Sequence, residues 1–412
     1  MKRYWIDKRR TIIKTYDDVI KDINNKKNVR KFINSSNPYE IYLEILCSIL
    51  QGGKYEVLDS NFSANEILNL NINIEEIDSL NEITFSSITD VDNLIYQITT
   101  SKKDWRIGFY TSGTTGRPKK VFHSLQSLIR NVKNDEKFKK DIWGFCYNST
   151  HIAGFQVFFQ AFLNENPMIY LFESSGQEIN DELNQNLITN ISATPTFYRT
   201  FLPYIVNPIL SIKVVTFGGE LFDPTLIDSV KRKFPNARVL NIYASTEIGS
   251  LFASENNIFH IPQQYEDSIK INPEGELLIK RTLLGDSIDC VLDGDWFHTG
   301  DLVEKIDDRK FKFISRKSEM INVAGYKVNP NEIEFEIKKI EGVRDVVIKA
   351  RSNRITGNIL LAEIIKESHI EESELEERIR QQLTNNLQAW KIPRIIHFVE
   401  NFEKARTGKK VR

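Results

Sequence analysis

The residues best suited to chemistry begin with a loop rich in glycine and hydroxyl side chains. An apolar run at 107–110 leads directly into residues 111–120, Thr-Ser-Gly-Thr-Thr-Gly-Arg-Pro-Lys-Lys. Small residues and glycines in this density indicate a loop. Hydroxyls and unobstructed backbone N–H groups suit the oxygens of a polyphosphate, and lysine adds positive charge. The candidate ligands are Thr111, Ser112, Gly113, Thr114, Thr115, Gly116 and Lys119.

Two further polar segments follow predicted strands in the middle of the chain. Strand patterns at 188–192, 213–217 and 238–243 alternate with helices that begin after Thr194 and Asp223, each followed by proline. This β-α-β-α-β order predicts a parallel sheet with crossover helices, in which ligands lie beyond the carboxyl ends of strands. The segments expected at that edge are Gly218-Gly219-Glu220 and Ala244-Ser245-Thr246-Glu247.

The segments before and after this central region have different residue patterns. Residues 1–100 are mixed and mostly helical in pattern, with no recognisable chemistry. After residue 315 a small α+β unit is predicted. Its first helix starts at Asn329-Pro330 and carries isoleucines at 333, 337 and 340 on one face. Strands at 343–350, 359–365 and 394–399 and a helix at 372–387 complete this unit.

Composition limits the class of protein. The 412 residues suggest two or three domains, and the formal net charge of −1 argues against a nucleic-acid binder that depends on overall basicity. Three cysteines without metal-ligand spacing suit a reducing compartment. The sequence shows no signal peptide and no apolar run long enough to span a membrane, so a cytoplasmic protein is expected.

Five segments, in order, resemble the signatures of the adenylate-forming superfamily, which includes acyl-CoA synthetases, stand-alone adenylation domains and luciferases. The first is the glycine-rich loop, which lacks the spacing of a Walker A motif. The others are Tyr-Ala-Ser-Thr-Glu at 243–247, Trp-Phe-His-Thr-Gly-Asp at 296–301, Ser-Arg-Lys-Ser-Glu-Met-Ile at 315–321 and Arg-Thr-Gly-Lys at 406–409.

The resemblance implies an α/β fold. It comprises a large N-terminal domain at 1–315, with mostly parallel sheets and crossover helices, and a small mobile C-terminal α+β domain at 316–412. The implied reaction joins a carboxylic acid to the α-phosphate of ATP and releases pyrophosphate. The acyl group then passes to a thiol, either CoA or the phosphopantetheine of an acyl carrier protein. Because two anions must meet in the first step, positive charge and Mg²⁺ are needed there.

Individual roles follow from the same resemblance. Glu247 matches the carboxylate associated with Mg²⁺, and Thr246 the hydroxyl at the α-phosphate. Asp301 and Arg316 match the groups that hold the ribose. Lys409 matches the catalytic lysine of the first half-reaction. Gly218, Gly219, Glu220 and Tyr243 would enclose the adenine, with the tyrosine stacked on the base.

The chain departs from the family pattern at several positions. Lys120, Ala244 and Ser315 replace glycines, and Ser318 replaces the usual aspartate of the hinge. The phosphate loop begins near residue 111, so the N-terminal region is expected to be shortened. These departures keep open a degenerate nucleotide-binding protein without activity. A phosphotransferase that uses the glycine-rich loop is a further alternative, which the segments around Arg316 and Lys409 oppose.

The acid is expected to lack an α-amino group. His151 starts the segment His-Ile-Ala-Gly-Phe, where it could gate the acid pocket or simply be a histidine satisfied at a helix start. No aspartate for a substrate ammonium stands there, and Phe155, Phe158 and Phe159 suggest an apolar aromatic pocket. Since an unpaired buried ammonium is costly, an aryl or aliphatic acid is favoured over an amino acid.

Overall fold

The computed structural model describes residues 2–70, 72, 76–111, 119–286, 292–323, 326–353 and 357–403. The elements before the glycine-rich loop are β1 (Arg3–Asp7), β2 (Ile12–Thr15), α1 (Tyr16–Asn25), β3 (Asn28–Arg30), β4 (Phe32–Ile33), α2 (Pro38–Gln51), β5 (Gly53–Val57), α3 (Ala64–Asn69), β6 (Leu80–Glu82), α4 (Val91–Thr100) and β7 (Trp105–Thr111).

The middle of the chain alternates strands and helices. These elements are β8 (Lys119–Ser124), α5 (Leu125–Ile129), β9 (Trp143–Phe145), α6 (Ile152–Phe162), β10 (Met168–Tyr170), α7 (Gly176–Gln185), β11 (Asn190–Ala193), α8 (Pro195–Phe201), β12 (Val214–Gly218), α9 (Thr225–Lys233) and β13 (Arg238–Ser245).

Antiparallel strands and a small α+β unit follow. They are β14 (Gly249–Ser254), β15 (Ile258–His260), β16 (Ile269–Ile271), β17 (Glu276–Lys280), β18 (Leu292–Asp293), β19 (Trp296–Asp307), β20 (Lys310–Arg316), β21 (Ile321–Val323), β22 (Tyr326–Val328), α10 (Pro330–Lys338), β23 (Val343–Asn353), β24 (Gly357–Lys366), α11 (Glu372–Asn386) and β25 (Ile395–Phe398).

The largest sheet contains the predicted parallel strands. Its order is β14-β13-β12-β11-β9-β10-β1-β2, and all neighbours are parallel except the two edge pairs. Gly218 at the end of β12 pairs with Ile242 of β13, so the polar segments after these strands lie side by side. Thr194 caps α8 through the N–H of Phe197, and Asp223 accepts from the N–H of Thr225 at the start of α9.

The interpretation of residues 1–100 as mostly helical missed the strands of this region. β1 lies inside the largest sheet, parallel to β10. β4 pairs with β5, and β5 pairs with β7, in a second sheet of order β4-β5-β7-β8. β1 shows no alternation of polar and apolar residues, because its residues 4–7 are buried on both faces of the sheet. The glycine-rich loop connects β7 and β8.

The C-terminal elements form the expected α+β arrangement. β23, β24 and β25 make a three-stranded sheet, against which α10 and α11 pack through Ile333, Ile337 and Ile379. The buried apolar side chains of this cluster run from Ile321 to Leu383. Across the described parts of the chain, no helix has both the length and the apolar character needed to cross a membrane.

Candidate functional site

Two adjoining cavities lie beyond the carboxyl ends of β12 and β13. The larger cavity has a volume of about 620 Å³ and extends between α5, α6 and the ends of these strands. The smaller cavity, of about 420 Å³, reaches toward α8 and α10. The two share a wall made by Gly219, Ile242, Ala244 and Arg316. The sheet therefore brings the predicted segments together at the edge where parallel sheets bind ligands.

Asp301 organises the smaller cavity. It is 1% exposed, and its Oδ2 accepts a hydrogen bond of 2.5 Å from the hydroxyl of Tyr243. Its Oδ1 accepts from Nε of Arg316 at 2.9 Å. Burial raises the pKa of Asp301, and the guanidinium beside it opposes that rise. Tyr243 is only 8% exposed and packs near Phe252, so stacking of its ring on a base stays a prediction.

The backbone explains the Thr-Gly-Asp sequence before this carboxylate. Thr299 donates from Oγ1 to the carbonyl of Leu277 at 2.7 Å and accepts from the N–H of Asp301. Gly300 has a φ of +73°, a conformation that favours glycine. The threonine and the glycine thus turn β19 so that Asp301 is held against β20.

Sequence analysis missed Glu276, which supports the same turn. This buried carboxylate accepts from Lys317 Nζ at 2.7 Å, from the N–H of Gly300 at 2.9 Å and from His298 Nδ1 at 2.9 Å. Burial opposes its ionisation, but these hydrogen bonds outweigh burial and lower the pKa of Glu276. It stands between a glycine and β-strand residues, so nothing in its local sequence marks it.

Thr246 and Glu247 lie in the wall of the larger cavity, together with His151. Among the described residues, none gives the Glu247 carboxylate a hydrogen bond or ion pair, and no cluster of three or more metal-binding side chains occurs there. A single carboxylate is what Mg²⁺ uses when substrate phosphates supply its other ligands. The residues present therefore fit a Mg²⁺ ion that is bound together with a polyphosphate.

His123 is a second residue that sequence analysis missed. It is completely buried, and its Nε2 lies 2.7 Å from the carbonyl oxygen of Thr246. Because a carbonyl only accepts, Nε2 carries the proton, and Nδ1 faces the hydroxyl of Ser127 at 3.0 Å. Burial lowers the pKa of His123 to about 4, so the ring is neutral. It ties β8, which follows the glycine-rich loop, to the Thr-Glu segment.

The prediction that phenylalanines of the 151–159 segment form an aromatic acid pocket is wrong. Phe155, Phe158 and Phe159 are completely buried on the core side of α6. The face of α6 that lines the larger cavity carries Ile152, Ala153, Gln156, Val157 and Gln160. The spacing of residues 152, 156 and 160 by four could have identified this face from the sequence. Apolar lining also comes from Leu128, Val132 and Trp143.

Gly219 of the glycine pair lies in the shared wall, and Gly218 lines the larger cavity. Gly219 has a φ of +78°, which favours glycine at the turn after β12. A Cβ on Gly218 would come within 3.1 Å of the hydroxyl of Tyr147. Glu220 lines the smaller cavity and accepts from the N–H and hydroxyl of Thr196 at 2.8 and 2.9 Å, which fixes it to the start of α8.

Several predicted residues lie outside the described part of the structure. They are Ser112, Gly113, Thr114, Thr115, Gly116 and Lys409, together with the side chains of Thr111 and Lys119. Lys120, one of the departures from the family pattern, is described. Its ammonium lies 2.9 Å from Glu56 and over the ring of Tyr110. A partner on β5 therefore accommodates the lysine at this position.

A buried charge cluster joins the two parts of the chain. Lys338 of α10 lies 2.7 Å from Asp223, which is also paired with Arg199 of α8. Asp345 of β23 completes the cluster, 3.6 Å from Arg199. Burial opposes ionisation of Asp223, but Lys338 and Arg199 outweigh it and hold the pKa of Asp223 well below its ordinary value. Two cations and two carboxylates thus balance at the edge of the smaller cavity.

Comparisons with known proteins agree on one family. The profile described as AMP-binding enzyme matches residues 52–273, and the profile described as AMP-binding enzyme C-terminal domain matches residues 332–409. The 2-succinylbenzoate–CoA ligase of Listeria monocytogenes serotype 4b is 26% identical over 360 residues, which cover 79% of this chain and 73% of that protein. The 4-hydroxybutyrate–CoA ligase 1 of Metallosphaera sedula is 23% identical, with 79% and 64% covered.

Other relatives include parts of much longer proteins. Bacitracin synthase 3 of Bacillus licheniformis is 24% identical over 79% of this chain, which covers 6% of that synthase. Among solved structures, the Bacillus subtilis o-succinylbenzoate CoA synthetase in complex with its acyl-adenylate has a TM-score of 0.70 at 16% identity, covering 99% of this chain and 94% of that chain. ATP-bound MatB from Rhodopseudomonas palustris has a TM-score of 0.70 at 17% identity, covering 99% and 93%. These likenesses confirm the predicted fold class.

Proposed function

The chain belongs to the AMP-binding enzyme family and is an AMP-forming acid–thiol ligase, and on that premise we propose how its two cavities divide the substrates. The adenosine of ATP occupies the smaller cavity, and the phosphates and the carboxylic acid occupy the larger one. The observation that carries this assignment is the shared wall, because a reaction between acid and α-phosphate requires the two sites to meet.

The adenosine assignment rests on Asp301. An ionised carboxylate is purely an acceptor with room for more than one hydrogen bond on each oxygen. Its contacts with Tyr243 and Arg316 fix its position and leave acceptor capacity for two ribose hydroxyls. Gly219 lines this cavity without a side chain at the turn after β12, which leaves room there for a flat base.

The phosphate assignment rests on the end of β13. Thr246 offers a hydroxyl in the larger cavity, while its backbone carbonyl is held by His123. Glu247 would hold Mg²⁺, which lowers the repulsion between the acid and the phosphates when it is bound. Thr111, Ser112, Gly113, Thr114, Thr115, Gly116 and Lys119 are proposed to surround the outer phosphates. Their role follows from their resemblance to the family's loop.

The acid is proposed to lack an α-amino group. The carboxylates among the described lining residues of the larger cavity are Glu247 and Glu276. Glu276 is already used by Lys317, His298 and Gly300, and Glu247 is assigned to Mg²⁺. An α-ammonium would therefore be buried without a dedicated partner, at a cost of several kcal/mol. Relatives named for 2-succinylbenzoate and 4-hydroxybutyrate act on acids of this kind.

The thiol acceptor is CoA or the phosphopantetheine of a carrier protein. Relatives named as CoA ligases support CoA. We place the domain boundary near residues 315 and 316, where β20 ends and the separate apolar cluster of the C-terminal part begins shortly afterwards. Buried free thiols at Cys47 and Cys146 agree with a cytoplasmic location.

Lys409 is proposed to act only while the acyl-adenylate forms. Lys409→Ala should strongly reduce acyl-AMP formation from acid and ATP, because an ammonium beside the developing charge is lost. Thioester formation from chemically supplied acyl-AMP should be much less affected. Lys312→Ala, on β20, is a control that should alter neither step. An equal loss in both half-reactions would contradict the assignment.

Release of pyrophosphate and AMP with paired acids tests the proposal as a whole. Phenylpropionate should be used better than phenylalanine, and butyrate better than 2-aminobutyrate, by about 10²-fold in kcat/KM. ADP as the product would indicate phosphotransfer, and no nucleotide product with any acid would indicate a binding protein. A preference for the amino member of a pair would contradict the acid assignment.

A further inference from the structure

The inner half of the larger cavity is the wall formed by α5, α6 and β14. It contains no charged side chain among the described residues. The charged groups of the cavity belong to the other half, which lies after β13, on β17 and at the end of β20. They are Glu247, Glu276, Arg316 and Lys317. The polar side chains of the inner half are amides and hydroxyls. They include Ser127, Asn131, Gln156, Gln160 and Ser250.

Two of these amides already have partners. Gln160 exchanges hydrogen bonds of 2.9 Å with the backbone N–H and carbonyl of Lys133. Asn131 donates from Nδ2 to the carbonyl of Ser250 at 2.7 Å. These contacts close the wall of the cavity, and both amides are held in place by them.

Gln156 differs from both. Within the described residues its amide makes no hydrogen bond, although it lines the cavity. Its Nε2 lies 3.0 Å from the point that a Cβ on Gly249 would occupy, so the glycine makes room for the amide. Gly249 also has a φ of +76°, which favours glycine.

A second polar group without a partner stands opposite Gly249. Ser245 is its register partner across the β13–β14 hairpin, and the buried Ser245 hydroxyl has no hydrogen bond in the described structure. Ser245 lines the same cavity. The buried Ser245 hydroxyl carries a desolvation cost, and the Gln156 amide incurs one when a bound acyl chain covers it. A ligand that supplies the missing hydrogen bonds removes both costs.

We propose that Gln156 and Ser245 select an acid whose acyl chain carries a neutral oxygen, a hydroxyl or a carbonyl, beyond the carboxyl group. This inference rests on the proposed function, which places the acid in the larger cavity. A hydrocarbon chain would leave both groups unpaired, whereas a distal ammonium or carboxylate would be buried without an opposite charge. Gln156 acts here as a specificity residue, because its amide can both donate and accept.

Acids of one chain length test the inference in the pyrophosphate assay. Hexanoate, 5-oxohexanoate, 6-hydroxyhexanoate, 6-aminohexanoate and adipate differ only in the polar group at the far end of the chain. At least one of the two neutral oxygenated acids should exceed hexanoate by about 10-fold or more in kcat/KM, and the two charged acids should fall below hexanoate. Equal use of hexanoate and both oxygenated acids, or a preference for adipate, would overturn the inference.

Substitutions then assign the preference to one side chain. Gln156→Leu keeps the size of the side chain and removes the amide. The preference for the oxygenated acids over hexanoate should therefore fall to within about 2-fold. Gln156→Glu adds a carboxylate and should raise the use of 6-aminohexanoate by about 10-fold or more. Gln126→Leu changes an exposed position on α5 and should leave the five acids in the same order of kcat/KM as in the wild type. A preference that survives Gln156→Leu would overturn the assignment.

Binding of sulfamoyl-adenosine analogues gives a readout that does not depend on turnover. The wild-type protein should bind the 6-hydroxyhexanoyl or 5-oxohexanoyl analogue more tightly than the hexanoyl analogue, and Gln156→Leu should abolish the difference in calorimetry. Failure of the proposed function has a different signature, because then no acid releases pyrophosphate, or Glu247→Gln retains wild-type activity. Normal turnover and Glu247 dependence without any preference would refute only the selectivity of Gln156 and Ser245.

Discussion

The two cavities share a wall but differ in how their polar side chains are satisfied. In the smaller cavity Asp301, Glu220 and Asp223 each take part in at least two hydrogen bonds or ion pairs. In the larger cavity Gln156 and the hydroxyl of Ser245 have none among the described residues. A site whose groups are already fixed suits a constant ligand such as adenosine. Groups left without partners suit recognition of a substrate that differs between relatives.

The largest loss of activity is expected from Asp301→Asn in the smaller cavity. The amide keeps the shape but removes the charge that Arg316 and the ribose are proposed to use. Adenylation should fall by about 10³-fold, at the upper end of the range for one preorganised electrostatic contact, because two partners are affected together. Single-turnover formation of acyl-AMP measures the effect.

Asp307→Asn on the same strand is the matched control. Asp307 is exposed and pairs with Lys310, away from both cavities, so activity should stay within about 2-fold of wild type. Near-normal acyl-AMP formation by Asp301→Asn would show that this carboxylate is only a structural acceptor for Tyr243.

Glu247→Gln tests the chemical end of the larger cavity. Loss of the carboxylate should lower adenylation by at least about 10²-fold, and excess Mg²⁺ should recover part of the loss if the residue holds the ion. Measured across a Mg²⁺ titration, the variant should require more Mg²⁺ for half-maximal pyrophosphate release. Glu255→Gln, an exposed partner of Arg238, is the control. An unchanged Mg²⁺ dependence would exclude Glu247 as a ligand.

The sequence was informative where structure and chemistry are local. The strand–helix alternation around Thr194 and Asp223 predicts the parallel sheet and the edge at which Gly219 and Glu247 lie. Partners from distant segments were not predictable. Glu276 meets Lys317 across 41 residues, and His123 meets Thr246 across 123. Such contacts are created by strand register and carry no local periodicity.

The charge cluster beside the smaller cavity offers a third test, through stability. Lys338→Met leaves Asp345 and Asp223 to share Arg199 in a buried setting, and breaking a buried ion pair from one side costs about 3–5 kcal/mol. Limited proteolysis and thermal unfolding should show a loosened C-terminal part. Lys339→Met, whose exposed side chain pairs with Glu336, should have little effect. Equal proteolysis and equal thermal stability of the two variants would show that the cluster does not help to hold the C-terminal part against the rest of the chain.

The smallest effect is expected from pH, through Glu276. Its pKa is lowered in the folded protein, because hydrogen bonds from Lys317, His298 and Gly300 outweigh the opposing effect of burial. The stability that it contributes is therefore present above its unfolded pKa of about 4.3 and is lost as pH falls through the lower folded value. Glu276→Gln should destabilise the protein at neutral pH. The difference in thermal stability between wild type and variant should narrow as pH falls below about 4.3. Glu274→Gln, an exposed neighbour, should show no such convergence. If the difference in thermal stability between wild type and Glu276→Gln stays constant across this pH range, Glu276 supports the Thr-Gly-Asp turn by its shape alone.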